Sequence, residues 1–272
     1  MTYKPLSVVV AAATDAGRVR PHNEDAYLID DELGLFAVAD GVGGHGGGSE
    51  ASLLCVTELP QILRTALVEN PKSDNQTDDQ TNHSPEHNAQ QTQILQAHLN
   101  ESIAAVNEQV FQAGADMEAE GRMGTTLTGG LFLDNGYALI FNVGDSRTYV
   151  YRNTELSQIT TDQSWYQSWL DNGCVGAAPP KNVILQGIGL DDQVVADWVV
   201  TNYQANDLWL MCSDGLSDLV GDTEIANRIK HHLLSGEPLK TLCADLISAA
   251  NEAGGEDNIT VLALQPDINK TT

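Results

Sequence analysis

The sequence predicts an α+β protein in which two packed sheets are covered by helices. Short β-branched and apolar runs bounded by turn residues come in two batches. Each batch is followed by segments whose apolar residues recur at helical spacing. The chain has 272 residues, 42% of them hydrophobic, enough for a substantial core.

LSVVVAAAT (6–14), AYLID (26–30) and LFAVA (35–39) read as three early strands. ADGVGGHGGG, residues 39–48, then leads to Ser49 and Glu50, which can cap a helix running through Ala51, Leu54 and Leu63. Pro60 is expected to kink or break that helix. Residues 70–93, NPKSDNQTDDQTNHSPEHNAQQTQ, hold two prolines and no aliphatic residue beyond Ala89. Such a segment buries too little to offset its ordering entropy, so a mobile polar insertion is expected, with His83 and His87 as loop residues and not ligands. Leu95, Leu99, Ile103, Val106 and Val110 mark a second helix. TTLTGGLFL, YALIFNV, RTYVYR and ELSQI read as strands, with Asp134, Asn135 and Gly136 forming a tight turn between the first two. Trp165, Tyr166 and Trp169 are expected in the core. VVADWVV and DLWLMCS follow, then helices with an apolar stripe through Leu239, Leu242, Leu246 and Ile247, then a last strand, NITVLAL.

Thirteen basic against 38 acidic residues give a net charge of -25, which repels nucleic acid and anionic membranes. No apolar run approaches the ~20 residues that span a bilayer, and MTYKPLS lacks the pattern of a secretory leader. A cytoplasmic monomer with neither nucleic-acid nor membrane partner is expected. Cys55, Cys174, Cys212 and Cys243 form no CxxC and read as free buried thiols.

The glycine-rich stretch first suggests a phosphate cradle. Its details argue against one: GxxxxGK[ST] is absent, a dinucleotide fingerprint needs GxGxxG after the strand together with an acid about 20 residues on, and no lysine or arginine occurs between Arg20 and Arg64. The acids near strand ends suggest another use. They are Glu24 and Asp25 in RPHNEDAY, Asp40 in ADGVGG, Asp145 in NVGDSR, Asp214 in CSDGLSD and Asp257 in GGEDNIT. Each alone is a turn former or helix cap. Brought together they need cations, because two carboxylates ~4 Å apart repel by roughly 4 kcal/mol at an effective dielectric of 20. Oxygen donors without histidine or cysteine select hard ions, Mg2+ or Mn2+ over Zn2+. A pair of such ions about 3.5 to 4 Å apart would suit an in-line displacement. Gly41 has no side chain in the way, so its carbonyl can join the ligands beside Asp40.

At these residues the chain resembles the PP2C-type (PPM) metal-dependent protein serine/threonine phosphatases, especially the short bacterial ones. TDAGRVRPHNEDA and ADGVGGHGGGSEAS look like the family's first two motifs, and MGTTLTGG, NVGDSRTYVYR, LSQITTDQSW, MCSDGLSDLV and GGEDNITVLAL follow in the family's order. The resemblance covers nearly the whole chain apart from residues 70–93. It implies one domain over residues 1–272, an αββα sandwich of two mostly antiparallel sheets with the metal centre in a cleft at one end. It also implies that Asp40 bridges two Mn2+ or Mg2+ ions, with Glu24 and the Gly41 carbonyl on one and Asp214 and Asp257 on the other. Asp25 would orient the attacking, metal-bridging water, Asp145 with Asp214 would hold a weaker third ion, and Arg20 would grip the phosphate. The implied partners are proteins phosphorylated on serine or threonine and a cognate kinase of the bacterial Hanks type.

No acid for the leaving alkoxide is identified: Val42 stands where some eukaryotic members carry histidine, and His22 and His45 read as structural. The flap region, residues 171–186, departs from the family. Its CVGAAPPKN is shortened and lacks the usual His-Pro pair, which leaves substrate choice and ion occupancy at Asp145 open. An inactive phosphoprotein-binding module is the alternative; against it, every core ligand position is acidic. A structural cation-binding protein would show a loop such as DxDxDG, and none appears.

Overall fold

A computed structural model describes residues 6–43, 47–69, 85–116 and 123–266 of the chain. One sheet holds β1 (Val8–Asp15), β11 (Ile259–Pro266), β10 (Leu208–Cys212), β7 (Arg147–Arg152) and β8 (Glu155–Gln158), in that spatial order. The other runs β2 (Asp25–Asp30), β3 (Leu35–Val42), β5 (Leu127–Phe132), β6 (Tyr137–Val143) and β9 (Asp197–Asn202), with the short β4 (Gly124–Thr125) paired to β3. Neighbouring strands in both are antiparallel.

Strand parity shows how four layers arise. Leu35, Ala37 and Ala39 of β3 pack under α1 (Gly47–Glu69) and α2 (Pro85–Asp116), whereas Phe36 and Val38 enter the layer between the sheets. In the other sheet Leu208, Leu210 and Cys212 of β10 face α5 (Asp222–Ser235) and α6 (Leu239–Glu252), while Trp209 and Met211 face inward. Alternate residues of each strand therefore serve two different cores. Asp40 continues the Phe36, Val38 series, which delivers its carboxylate to the mouth of the inter-sheet layer. The sandwich expected from the sequence is the one found.

Several local expectations are corrected. β3 runs on through Asp40 and Gly41 to Val42, so the glycine stretch begins as paired strand, with Gly41 opposite Thr125. α1 begins at Gly47, and Ser49 lies in its first turn instead of capping it. The helix passes through Pro60 without ending. Leu59 and Leu63 beside that proline are fully buried, and at ~1.5 to 3 kcal/mol each their burial offsets the ~3 kcal/mol proline cost. By length and composition α1 could cross a membrane, yet Ala51, Cys55, Leu59 and Leu63 pack in the core against the sheet.

Of the polar segment at 70–93, residues 70–84, with His83, lie outside the described residues, as does His45. From Pro85 onward the segment is helical: proline suits a first helical turn, and Thr92 and Leu95 are buried one turn apart. The short α3 (Trp165–Asp171) buries none of its residues, and Trp165 is 58% exposed, so its aromatics are not core. Cys174 is exposed too; the other three cysteines are buried.

Candidate metal centre

The polypeptide brings the expected residues to one end of the sandwich. Arg20, Glu24, Asp40, Gly41, Asp145, Asp214 and Asp257 all line a cavity of about 180 Å³. Asp25 stands behind it, directly opposite Asp40 in the β2–β3 register. Backbone and hydroxyl contacts fix Asp40 on its strand: its N–H donates to Thr126 Oγ1 at 3.0 Å, and its carbonyl accepts from the Thr126 N–H at 2.8 Å and the Thr125 hydroxyl at 2.9 Å.

Gly41 and Gly48 explain part of the glycine stretch. A Cβ on Gly41 would collide with the Gly48 carbonyl and lie 2.5 Å from the Glu24 carbonyl; one on Gly48 would stand 2.8 Å from both Glu24 Oε2 and the Gly41 oxygen. The start of α1 thus presses onto the strand end where the Glu24 carboxylate and the Gly41 carbonyl meet. Only glycine permits that approach.

The electrostatics are those of crowded carboxylates. Burial, then Asp25 and Asp214, holds the Asp40 carboxyl well above its ordinary range. Burial and then Asp214 push Asp145 up to about 8. Burial and then Asp257 raise Asp214 to about 6, and Asp40 lies close enough to hydrogen-bond to it. Asp25 rises to about 7, chiefly by burial, against the lowering effect of the Thr260 and Ser213 hydroxyls. The Ser213 hydroxyl donates to Asp25 Oδ2 at 2.8 Å and accepts from the Thr260 N–H at 2.9 Å. Among the described residues the buried Oδ1 atoms of Asp25 and Asp214 have no hydrogen-bond partner. Among the described residues no three acidic, histidine or cysteine side chains already close on one point, so this is a basin of carboxylates and not a finished cage. Hard oxygen donors, orphaned carboxylate oxygens and mutually raised acids together fit divalent cations.

Arg20 sits at the open rim, its Nη2 donating to Asp257 Oδ2 at 2.7 Å. That partner differs from Glu24 and Asp25, its neighbours in sequence. Beside the basin, a cavity of about 40 Å³ is lined by Asp145, Asp214, Asp218 and Lys181, whose ammonium is 3.8 Å from Asp218. His22 contributes through its carbonyl, which accepts from Asn258 Nδ2.

Comparison with known proteins decides the family. The model described as "Protein phosphatase 2C" matches residues 18–260. This chain belongs to the protein phosphatase 2C family. Within that family it is 33% identical over 268 residues to the "Serine/threonine phosphatase stp" of Listeria monocytogenes, covering 94% of this chain and 95% of the relative. Among solved structures it is similar to PppA of Pseudomonas aeruginosa, with a TM-score of 0.76 and 28% identity over 97% of this chain and 100% of that one. It is also similar to the catalytic domain of the phosphatase PstP in complex with two manganese ions, with a TM-score of 0.71 and 30% identity over 95% and 97% of the two chains.

Three residues at the centre escaped sequence reasoning: Thr126, Ser213 and Asn258. Each stands next to or near an acid that was singled out. Strand parity, applied beyond the apolar positions, would have put Ser213 and Thr260 on the inter-sheet face with Met211 and Leu262.

Proposed function

We propose that this chain is a protein serine/threonine phosphatase that hydrolyses phosphoserine and phosphothreonine monoesters with two hard cations, Mn2+ or Mg2+. The observation that carries this reading is the single cavity into which Arg20, the Gly41 backbone and five acidic residues open. Asp40 would bridge the two cations, with Glu24 and the Gly41 carbonyl on one and Asp214 and Asp257 on the other. When bound, the cations supply Lewis acidity and lower the pKa of water.

The chain's own groups do the rest. Arg20, half exposed at the rim, stays charged and can donate to two phosphoryl oxygens at once, which favours in-line geometry. Asp25 is held through Oδ2 by Ser213, and its Oδ1, without a hydrogen-bond partner among the described residues, is the atom that would orient the attacking water. Asp145 and Asp214 would hold a third, weaker ion, with Lys181 as a competing positive charge at the Asp218 side of the small cavity.

The wider setting follows the same reading. Residues 1–272 form one phosphatase domain, and residues 171–186 act as a short flap whose Lys181, Asn182 and Ile184 line cavities beside the centre. The enzyme works as a cytoplasmic monomer that reverses a Hanks-type kinase. The test is hydrolysis of p-nitrophenyl phosphate and of a phosphothreonine peptide. Turnover is expected with Mn2+, none with chelator, and none in Asp40→Asn; turnover indifferent to chelator would overturn the reading.

A further inference from the structure

We infer that Asn258 is a positioning residue that pins the arginine-bearing loop, residues 16–24, onto the strand end carrying Asp257. This rests on the reading above that Arg20 holds the substrate phosphate. The loop has no regular secondary structure of its own between β1 and β2. Arg20 is exposed, and among the described residues its one ion pair is with Asp257, so its placement depends on how the backbone on either side is tied down.

Asn258 ties it on both sides. Its Oδ1 accepts from the Glu24 N–H at 2.8 Å, and its Nδ2 donates to the Ala16 carbonyl at 3.0 Å and the His22 carbonyl at 2.9 Å. A side-chain amide is the group that offers an acceptor and two donors from one short stem, and here both ends are used on backbone groups flanking Arg20. The Asn258 N–H also donates to Asp257 Oδ1 at 2.8 Å, leaving Oδ2 to face Arg20. Asn258 is 5% exposed, so water cannot readily replace these bonds.

The surrounding backbone is shaped for the same contact. Arg18 N–H donates to the Gly255 carbonyl at 2.7 Å. Gly17 takes φ +78, and a Cβ there would overlap the Asp257 carbonyl. One residue 234 positions away from Glu24 thus sets both the height of the arginine above the basin and the position of Glu24.

The proposal is tested by a double-mutant cycle at saturating Mn2+. Asn258→Ala is expected to raise KM for p-nitrophenyl phosphate about tenfold with a smaller change in kcat, as displaced positioning does. Arg20→Ala should raise KM by at least as much in the wild-type background but by less than about threefold in Asn258→Ala. Effects that multiply would overturn the proposal. Asn258→Asp keeps the acceptor for Glu24 and loses both donors; it should raise KM while its Mn2+ midpoint, read by thermal shift without substrate, is no weaker than wild type. An unchanged KM there overturns the proposal, and this variant carries the cycle if Asn258→Ala does not fold. Should Arg20→Ala leave KM unchanged, the phosphate-binding reading of Arg20 fails. The pin is then judged on metal binding alone: a several-fold weaker Mn2+ midpoint in Asn258→Ala supports it, and an unchanged one overturns it.

Discussion

The two ends of the inter-sheet layer follow opposite rules. At one end Phe132 meets Phe36 and Trp209 edge to face, with ring centroids 6.0 and 5.3 Å apart, inside a cluster of buried hydrophobic side chains. Toward the other end the same strands exchange these side chains for hydroxyls that bridge the sheets in pairs, Thr128 to Thr148 at 2.9 Å and Thr126 to Ser146 at 2.7 Å. Beyond the hydroxyls come the carboxylates. The first end is stabilised by burial, whereas the last is destabilised by its own charge until something positive arrives. A single strand such as β3 carries both, from Phe36 to Asp40.

Breaking either end should have separable effects. Asp40→Asn is expected to lower turnover with Mn2+ by 10³-fold or more, roughly 4 kcal/mol of barrier, while leaving the metal-free protein as stable as wild type or more so. Trp209→Ala at the apolar end should cost about 3 to 5 kcal/mol of stability by denaturant unfolding, with kcat per folded molecule unchanged. A large loss of kcat there would blur the division.

Mn2+ at a hundred times its Kd should add about 2.7 kcal/mol per site to stability, read as a higher melting temperature, and Asp40→Asn should lose most of that gain. The pH dependence of the metal-free protein has a definite sign. Asp25, Asp145 and Asp214 are raised from 3.8 to about 7, 8 and 6, so the folded state holds more protons than the unfolded one between those limits. The stability these groups contribute is fully present below pH 3.8 and is lost as pH rises through 8. Unfolding at pH 5 and pH 8 without metal should therefore show greater stability at pH 5, with the difference reduced in Asp40→Asn. The smallest effect belongs to the hydroxyl pairs. Thr128→Val alone should cost about 1 to 3 kcal/mol by stranding the Thr148 hydroxyl, whereas Thr128→Val with Thr148→Val should come near neutral.

Much of this arrangement was legible in the sequence, because an acid at the end of an apolar strand has its position fixed by a rigid element. Asp40, Asp145, Asp214 and Asp257 were found that way, and strands in two batches, each followed by helices, implied two sheets. Asn258 and Ser213 were not, since their roles lie in contacts with residues far away along the chain, Glu24, Ala16, His22 and Asp25. The exposure of Trp165 was missed because hydrophobicity alone does not say which element packs over an aromatic. Pro60 does not end α1, because the burial of Leu59 and Leu63 overrules local helix propensity.

Calorimetric titration of Mn2+ into the metal-free protein tests the charge-crowded basin most directly. Two or more ions are expected to bind with release of protons from the raised carboxyls, and Asp40→Asn should abolish the tight sites. Binding of no Mn2+, or binding unchanged by Asp40→Asn, would contradict the account.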